Sequence, residues 1–232
     1  AVITIGRNSG ESADRKLEED FLLTADEHSL LENTSRAFRA KGKKVVVVLN
    51  IGGVIETASW SGLADAILLA WQPGQEGGTA VADVLSGAVN PSGKLTDTFA
   101  LGLADYPAAA SFPGKVLLGP DPSVKTGIEV FDALAREAEV EYGDSIWVGY
   151  RHFDTRKAAV AYPFGFGLSY TTFGYSDLAV NLGADGQLRA SVRVTNTGKT
   201  AGREVAHVYV SAPQGALEKP AHELRAFGKT GE

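Results

Sequence analysis

Apolar residues along the first hundred positions come in two textures: short β-branched runs and longer stretches spaced for a helix. Val2, Ile3 and Ile5 open the chain as a strand that ends at Gly6. From Lys16 to Lys41, the apolar positions Leu17, Phe21, Leu30, Leu31, Ala37 and Phe38 recur at mixed threes and fours. That spacing predicts a helix, with a break within Leu22 to Asp26 and a stop at Gly42. KVVVVLN, Lys44 to Asn50, has no polar alternation, as expected of a strand buried on both faces of a parallel sheet. Ile55 to Trp60 predicts a short helix, Ala64 to Trp71 the next buried strand, Thr79 to Ser86 a helix and Lys94 to Phe99 a short strand. This alternation predicts an α/β fold: a mainly parallel sheet with helices on both faces, an α/β sandwich.

The pattern loosens over Ala100 to Asp144, which holds four prolines and predicts a long excursion with one helix at Val130 to Ala138. Ile146 to Phe153, IWVGYRHF, reads as extended. Tyr162 to Thr172, YPFGFGLSYTT, is aromatic and glycine-rich, which suits a packed linker. After Phe173, YSDLAVNL, QLRASVRVTNTG and EVAHVYVSAP alternate apolar and polar residues with turns between them. Period-two alternation at that spacing predicts antiparallel strands of a β-sandwich, three or four in number and too few to close it. The expected organisation is therefore an α/β domain over 1–160, an aromatic linker over 161–173 and an incomplete β-sandwich over 174–232.

Composition changes this picture little. The chain has 232 residues, 44% hydrophobic and 22% charged, within the range of globular proteins. Its formal net charge of -6 and lack of basic runs argue against a nucleic-acid partner. No apolar run approaches the ~18 residues that a membrane helix needs. Cysteine is absent, which excludes disulfides and thiol chemistry and leaves the compartment undetermined by that criterion; a periplasmic or secreted place is favoured over the cytoplasm. Methionine is absent even at position 1, so a piece of a longer protein is expected.

The candidate chemistry lies in RNSGESADR, Arg7 to Arg15, a polar run leaving the first strand. In an α/β fold such a loop opens toward the ligand crevice at the carboxyl ends of the strands. Glu11 follows Gly10 there and could donate a proton to a substrate held from elsewhere. The plainer reading is a solvated loop whose Asp14 caps the next helix. A serine nucleophile elbow is disfavoured, because Gly6 to Gly10 reads GRNSG with Ser9 one place late. His28, His152, His207 and His222 show no metal-ligand spacing, and Gly77-Gly78 has no Walker lysine beside it. Tyr162, Phe164, Phe166, Tyr170 and Phe173 could stack on a sugar, but such a cluster at a change of composition more often joins two domains.

Several stretches together resemble glycoside hydrolase family 3, the β-glucosidase and β-xylosidase family. They are GRNSGESADR, AILLAWQPGQEGGTAVADVLSGAVNPSGKLTDTF at Ala66 to Phe99, VGYRHFD at Val148 to Asp154 and YPFGFGLSYTTFGYSDL at Tyr162 to Leu178. VRVTNTGKTAGREVAHVYV, Val192 to Val210, resembles the fibronectin type III-like domain that follows in many members. The resemblance implies a retaining, exo-acting β-glycosidase, a β-glucosidase before a β-xylosidase, whose nucleophile sits on a (β/α)8 barrel absent from this sequence. It implies that Glu11 is the general acid/base, with Asn8 and Ser9 beside it as substrate-binding residues. Ser12 replaces the family's usual glycine, Asp144 its usual glutamate, and LTDTF departs from L-P-x-T-F. The implied partners are the barrel portion of the same protein and a β-linked oligosaccharide or glycoside; a homodimer is compatible with it. No cofactor, metal, nucleic acid or membrane is called for. The other class left open is a non-catalytic carbohydrate-binding or scaffold fragment.

Overall fold

The computed structural model describes residues 1–8, 15–117 and 138–231. Its centre is a three-stranded parallel sheet in the order β1 (Val2–Gly6), β2 (Val46–Asn50) and β3 (Ala66–Leu69). The register sets Ile3 beside Val47 and Ile5 beside Leu49. Val47 and Leu49 in turn lie beside Ile67 and Leu69. The side chains of alternate residues share a face. On one face Ile3, Ile5, Val47 and Leu49 form a core with Leu31 of helix α1 (Ala25–Arg39) and with Val45, Ile51, Ile55 and Trp60. Val48, between them in sequence, is buried too, so the central strand is covered on both sides. Burial of each such aliphatic side chain favours folding by roughly 1.5–3 kcal/mol.

Helix α1 begins where Thr24 and Glu27 form a reciprocal capping box. The Thr24 hydroxyl accepts from the Glu27 amide at 3.1 Å, and the Glu27 carboxylate accepts from the Thr24 amide at 2.9 Å. The helix therefore starts later than its apolar spacing suggests. Leu17–Phe21 is instead a single wide turn, with Glu19 held at φ +67 and Phe21 buried. The expected helix over Ile55 to Trp60 is a turn leading into a 3₁₀ segment, Ser61–Leu63. Helix α2 (Gly77–Ser86) closes on Gly87 in the left-handed conformation. Strand β3 is half-buried rather than fully buried, because it borders the described sheet.

Two further expectations are corrected. Lys94 to Phe99 adds no parallel strand: β4 (Phe99–Ala100) pairs antiparallel with β7 (Val160–Tyr162) in a separate sheet. Lys94 and Leu95 serve the aromatic linker instead, with Leu95 donating to the Phe166 carbonyl and accepting from Gly165. Ile146 to Phe153 is not extended, since helix α3 (Tyr150–Arg156) begins inside it. Tyr150 and Phe153, three apart, share a helical face. Phe153 is buried against the edge of Tyr106 at 5.7 Å, while Tyr150 stacks on His222 at 6.0 Å. These tertiary contacts outweigh the β-branched look of the run. The helix expected at Val130 to Ala138 falls largely outside the described residues; Ala138 itself lies in β6 (Ala138–Glu139), paired with β5 (Lys115–Val116).

Beyond the linker, β8 (Phe173–Leu182) pairs antiparallel with β9 (Leu188–Asn196), and β10 (Val205–Val210) with β11 (Glu223–Lys229). The α/β region is thus followed by antiparallel β structure. The aromatic cluster does join the two regions. Phe164 lies 5.0 Å from Tyr150 and 5.8 Å from His207 of β10. Gly165, at φ +79, passes so close that a Cβ there would meet the His207 ring at 2.8 Å. The Lys94 ammonium bonds Glu204 at 3.0 Å with both side chains largely buried. Asp154 bonds His222 at 2.8 Å, and the Tyr150 hydroxyl accepts from the Leu224 amide at 2.8 Å.

Candidate active site

The carboxyl ends of β1, β2 and β3 converge on one edge of the sheet. There the Arg7 amide donates to the Asn50 carbonyl at 3.1 Å, and the Asn50 side chain donates to the Trp71 carbonyl at 2.6 Å. Trp71 sits at φ +52, a conformation that costs a non-glycine residue about 1–3 kcal/mol and gathers at functional sites. Asn8 follows, exposed and outside regular structure. Ser9, Gly10, Glu11 and Asp14 lie outside the described residues, so Glu11 and Ser9 have no geometry here, and the reading of Asp14 as a helix cap lies outside them as well.

The two residues flanking this segment are both arginines, and both are tied down. Arg7 spends all five of its N–H bonds. Its guanidinium pairs with Glu27 through two 2.7 Å bonds and donates to the carbonyls of Gly6, Asp20 and Leu22. The side chain is only 8% exposed. Arg15 grips the Asp20 carboxylate through Nε and Nη2 at 2.9–3.1 Å, and its Nη1 donates to the Val54 carbonyl at 2.6 Å. It reaches Val54 across Gly53, where a Cβ would stand 2.7 Å from the guanidinium. A groove of about 230 Å³ lies beside this end, lined by Arg15, Lys16, Phe21, Val54, Leu103 and Tyr106. The Tyr106 hydroxyl there bridges the Thr98 carbonyl and the Ala100 amide, and burial raises its pKa.

A general acid must keep its proton at working pH, which requires a raised pKa. The two carboxylates that hold the flanking arginines do the opposite. The hydrogen bond from Arg15 holds Asp20 below the ordinary aspartate value, against a smaller opposing effect of burial. Burial works to raise Glu27, but its bonds from Arg7 and the Thr24 amide outweigh it and hold Glu27 low. Both are structural anions. Glu56, buried near Trp60, is likewise spent on the Ser59 amide and hydroxyl. Glu18 and Glu19 remain exposed on the 17–21 turn, beside a shallow groove of about 210 Å³. The residues missed by sequence reasoning are Arg7, Asp20 and Glu27. Two signals pointed to them: an arginine at each end of the polar run, and the T-x-x-E spacing of Thr24 and Glu27.

Residues 1–170 match the model of the glycosyl hydrolase family 3 C-terminal domain. The chain belongs to glycoside hydrolase family 3. It is 38% identical to β-glucosidase A of Butyrivibrio fibrisolvens, over 99% of this chain and 30% of that protein. It is 37% identical to an exo-α-(1→6)-L-arabinopyranosidase of Bifidobacterium longum, over 89% of this chain and 24% of that protein. Among solved structures, β-glucosidase 3B of Thermotoga neapolitana in complex with glucose superposes with a TM-score of 0.85 at 48% identity, covering 99% of this chain and 30% of that one. The chain thus spans under a third of the length of these relatives.

Proposed function

We propose that this chain is the acid/base-bearing part of a retaining, exo-acting β-glycosidase, a β-glucosidase that removes terminal non-reducing β-D-glucosyl residues. Its nucleophile would lie on a (β/α)8 barrel outside this sequence. The β-glucosidases among its relatives support the activity, and the S-G-E-S-A-D-R motif supports Glu11 as the acid. The observation that supports the reading most is the setting of the described flanks: Arg7, which follows β1, and Arg15 are both anchored, and the Asp20 and Glu27 carboxylates that hold them are bound as anions. In this reading residues 1–160 form the second domain of the enzyme, and residues 174–232 begin its third.

The chemistry then divides between two carboxyl groups about 5–5.5 Å apart. The barrel's carboxylate attacks the anomeric carbon. The glycosidic C–O bond breaks, its electron pair goes to the leaving oxygen, and that oxygen takes the proton of Glu11. In the second half, Glu11 removes a proton from water, which attacks the anomeric carbon and releases the nucleophile. Docking against the barrel would desolvate Glu11 and raise its pKa as the first half requires. Asn8 and Ser9, on the same segment, would contact the sugar.

Two measurements test this. The 232-residue chain alone should hydrolyse no aryl β-glycoside; robust turnover by it would end the missing-barrel account. In the complete enzyme, Glu11→Gln should lose about 10²–10⁴-fold on a disaccharide and far less in the glycosylation step with an activated aryl leaving group. Near-wild-type rates on both substrates would return the segment to a solvated turn and favour a non-catalytic fragment.

A further inference from the structure

Helix α3 has little of its own to stand on. It is seven residues long, and an isolated helix under ~12–15 residues is marginal in water. Tyr150, His152, Phe153, Asp154 and Thr155, most of its length, are weak helix formers. It starts from Gly149 at φ +55, which has no side chain to cap the free amides of the first turn. It ends on Lys157 at φ +52, a left-handed conformation that disfavours any residue with a Cβ. The helix therefore exists because of what its side chains touch.

Those contacts fall into two sets. One set reaches residues 218–224, the end of the β10–β11 connection and the start of β11. The Arg156 guanidinium pairs with Glu218 through both of its Nη atoms, and the Thr155 hydroxyl accepts from the Ala221 amide at 2.9 Å. Asp154 bonds His222 at 2.8 Å, Arg151 pairs with Glu223 at 3.2 Å, and the Tyr150 hydroxyl accepts from the Leu224 amide at 2.8 Å. The other set belongs to Phe153, which is buried edge to face with Tyr106 at 5.7 Å. The Tyr106 hydroxyl is in turn held between the Thr98 carbonyl and the Ala100 amide. Tyr106 also lines the groove that holds Arg15, Lys16, Phe21 and Val54.

We infer that α3 is a conditional helix: it forms only while residues 218–224 are docked on it, and in forming it seats Phe153 against Tyr106. Docking of the β10–β11 unit is thereby coupled to the order of the groove. Undocked, residues 150–156 lose the contacts that offset their weak propensity. Phe153 then leaves its place, and Tyr106 loses the ring that steadies it. The coupling runs both ways, because a helix shared by two partners passes the same free energy to each. None of this rests on Glu11 or on the segment that carries it.

Hydrogen exchange in the complete protein, read at single residues by mass spectrometry, tests the coupling, since local opening releases amides that the closed state protects. Amides at three places report on it. Those of Phe153 and Lys157 bond within α3, those of Ala221 and Leu224 bond its side chains, and that of Ala100 bonds the Tyr106 hydroxyl. The double variant Glu218→Ala/His222→Ala removes two contacts on the β side, far along the chain from Tyr106. It should speed exchange by about tenfold or more at Phe153, Lys157 and Ala100 and leave Val47 and Leu49 in the central strand unchanged. Phe153→Leu, at the other end, should speed exchange at Ala221 and Leu224. Arg193→Gln, which breaks the exposed pair with Asp177 between β8 and β9, should alter none of these amides. If α3 keeps its protection in the double variant, the helix stands without its partners and the inference falls. If α3 opens while Ala100 stays protected, or if Phe153→Leu leaves Ala221 and Leu224 untouched, nothing is transmitted and the inference falls equally. A uniform rise that includes Val47 and Leu49 marks general destabilisation and also overturns it. Should either variant fail to fold, Glu218→Gln, which keeps the side-chain shape, decides by exchange at Phe153, Lys157 and Ala100.

Discussion

In the parallel sheet and its flanks, Val45, Val47, Leu49 and Ile51 are at most 1% exposed. In β8 and β9, Leu178, Val180, Leu182 and Leu188 are 60–73% exposed. Both regions use aliphatic residues in extended backbone; β1 and β2 pair in unbroken register, and β8 and β9 pair with one irregularity between Ser176 and Ala179. They differ in what lies over them. The β1–β3 sheet has helix α1 on one face and a covered central strand. The β8–β9 pair has its apolar stripe, including the directly opposed Leu182 and Leu188, facing outward. Alternation therefore decides which face a side chain takes, but a second layer decides whether that face stabilises anything. The candidate chemistry follows the same division. Arg7 and Arg15 hang from the covered region, where a fixed turn can hold them.

Breaking the covered region should cost most. Leu31→Ala removes the helix side chain that caps the sheet, and about 2–5 kcal/mol of stability should go with it in chemical denaturation. A loss under ~1 kcal/mol would mean that α1 is not what covers the sheet. The junction between the two regions comes next. Glu204→Gln leaves Lys94 without its charged partner in a largely buried place, for a loss of about 1–3 kcal/mol. Limited proteolysis near residues 165–172 should then speed up, and unchanged cleavage would show the regions to be held by the aromatics alone.

Smaller still is the effect at Glu27, and it carries a pH signature. Its carboxyl pKa is lowered in the folded state, so the stability that it contributes is fully present above its unfolded value, roughly 4.3, and is lost as pH falls through the folded value. Glu27→Gln should therefore destabilise by about 1 kcal/mol at neutral pH and by progressively less as pH falls through the lowered folded value, converging on the parent below it. A difference independent of pH would deny the Arg7–Glu27 pair its electrostatic part. Least of all is expected from Leu182→Thr in the chain alone, within about 0.5 kcal/mol, because its side chain is already in water. A cost above ~1 kcal/mol would mean that the β8–β9 stripe is covered in solution.

Much of the covered region was legible because its signals are local. KVVVVLN announces a buried strand without any knowledge of its neighbours, whereas the apolar spacing starts α1 too early, at Lys16 rather than after the Thr24 cap. IWVGYRHF misled because its helix depends on partners far along the chain: Phe153 finds Tyr106, and Tyr150 finds His222. Lys94 to Phe99 misled in the same way, since its main-chain partners lie in the aromatic linker. At the candidate site, the polar run and Glu11 could be read from composition and motif. The closing of both flanking arginines on Asp20 could not, because it depends on a turn at Leu17–Phe21 that the helical spacing conceals.

In the proposed function Glu11 would serve the complete enzyme as acid and then as base. The most direct measurement is azide reactivation of Glu11→Gln in the complete enzyme, with the product identified by NMR. A glycosyl-enzyme intermediate should accumulate in the variant, because water attack lacks its base. Azide needs no base, so it should restore turnover and yield a glycosyl azide of retained β configuration, while the parent enzyme should respond little. Failure of azide to restore turnover, or an α-configured azide product, would contradict the account.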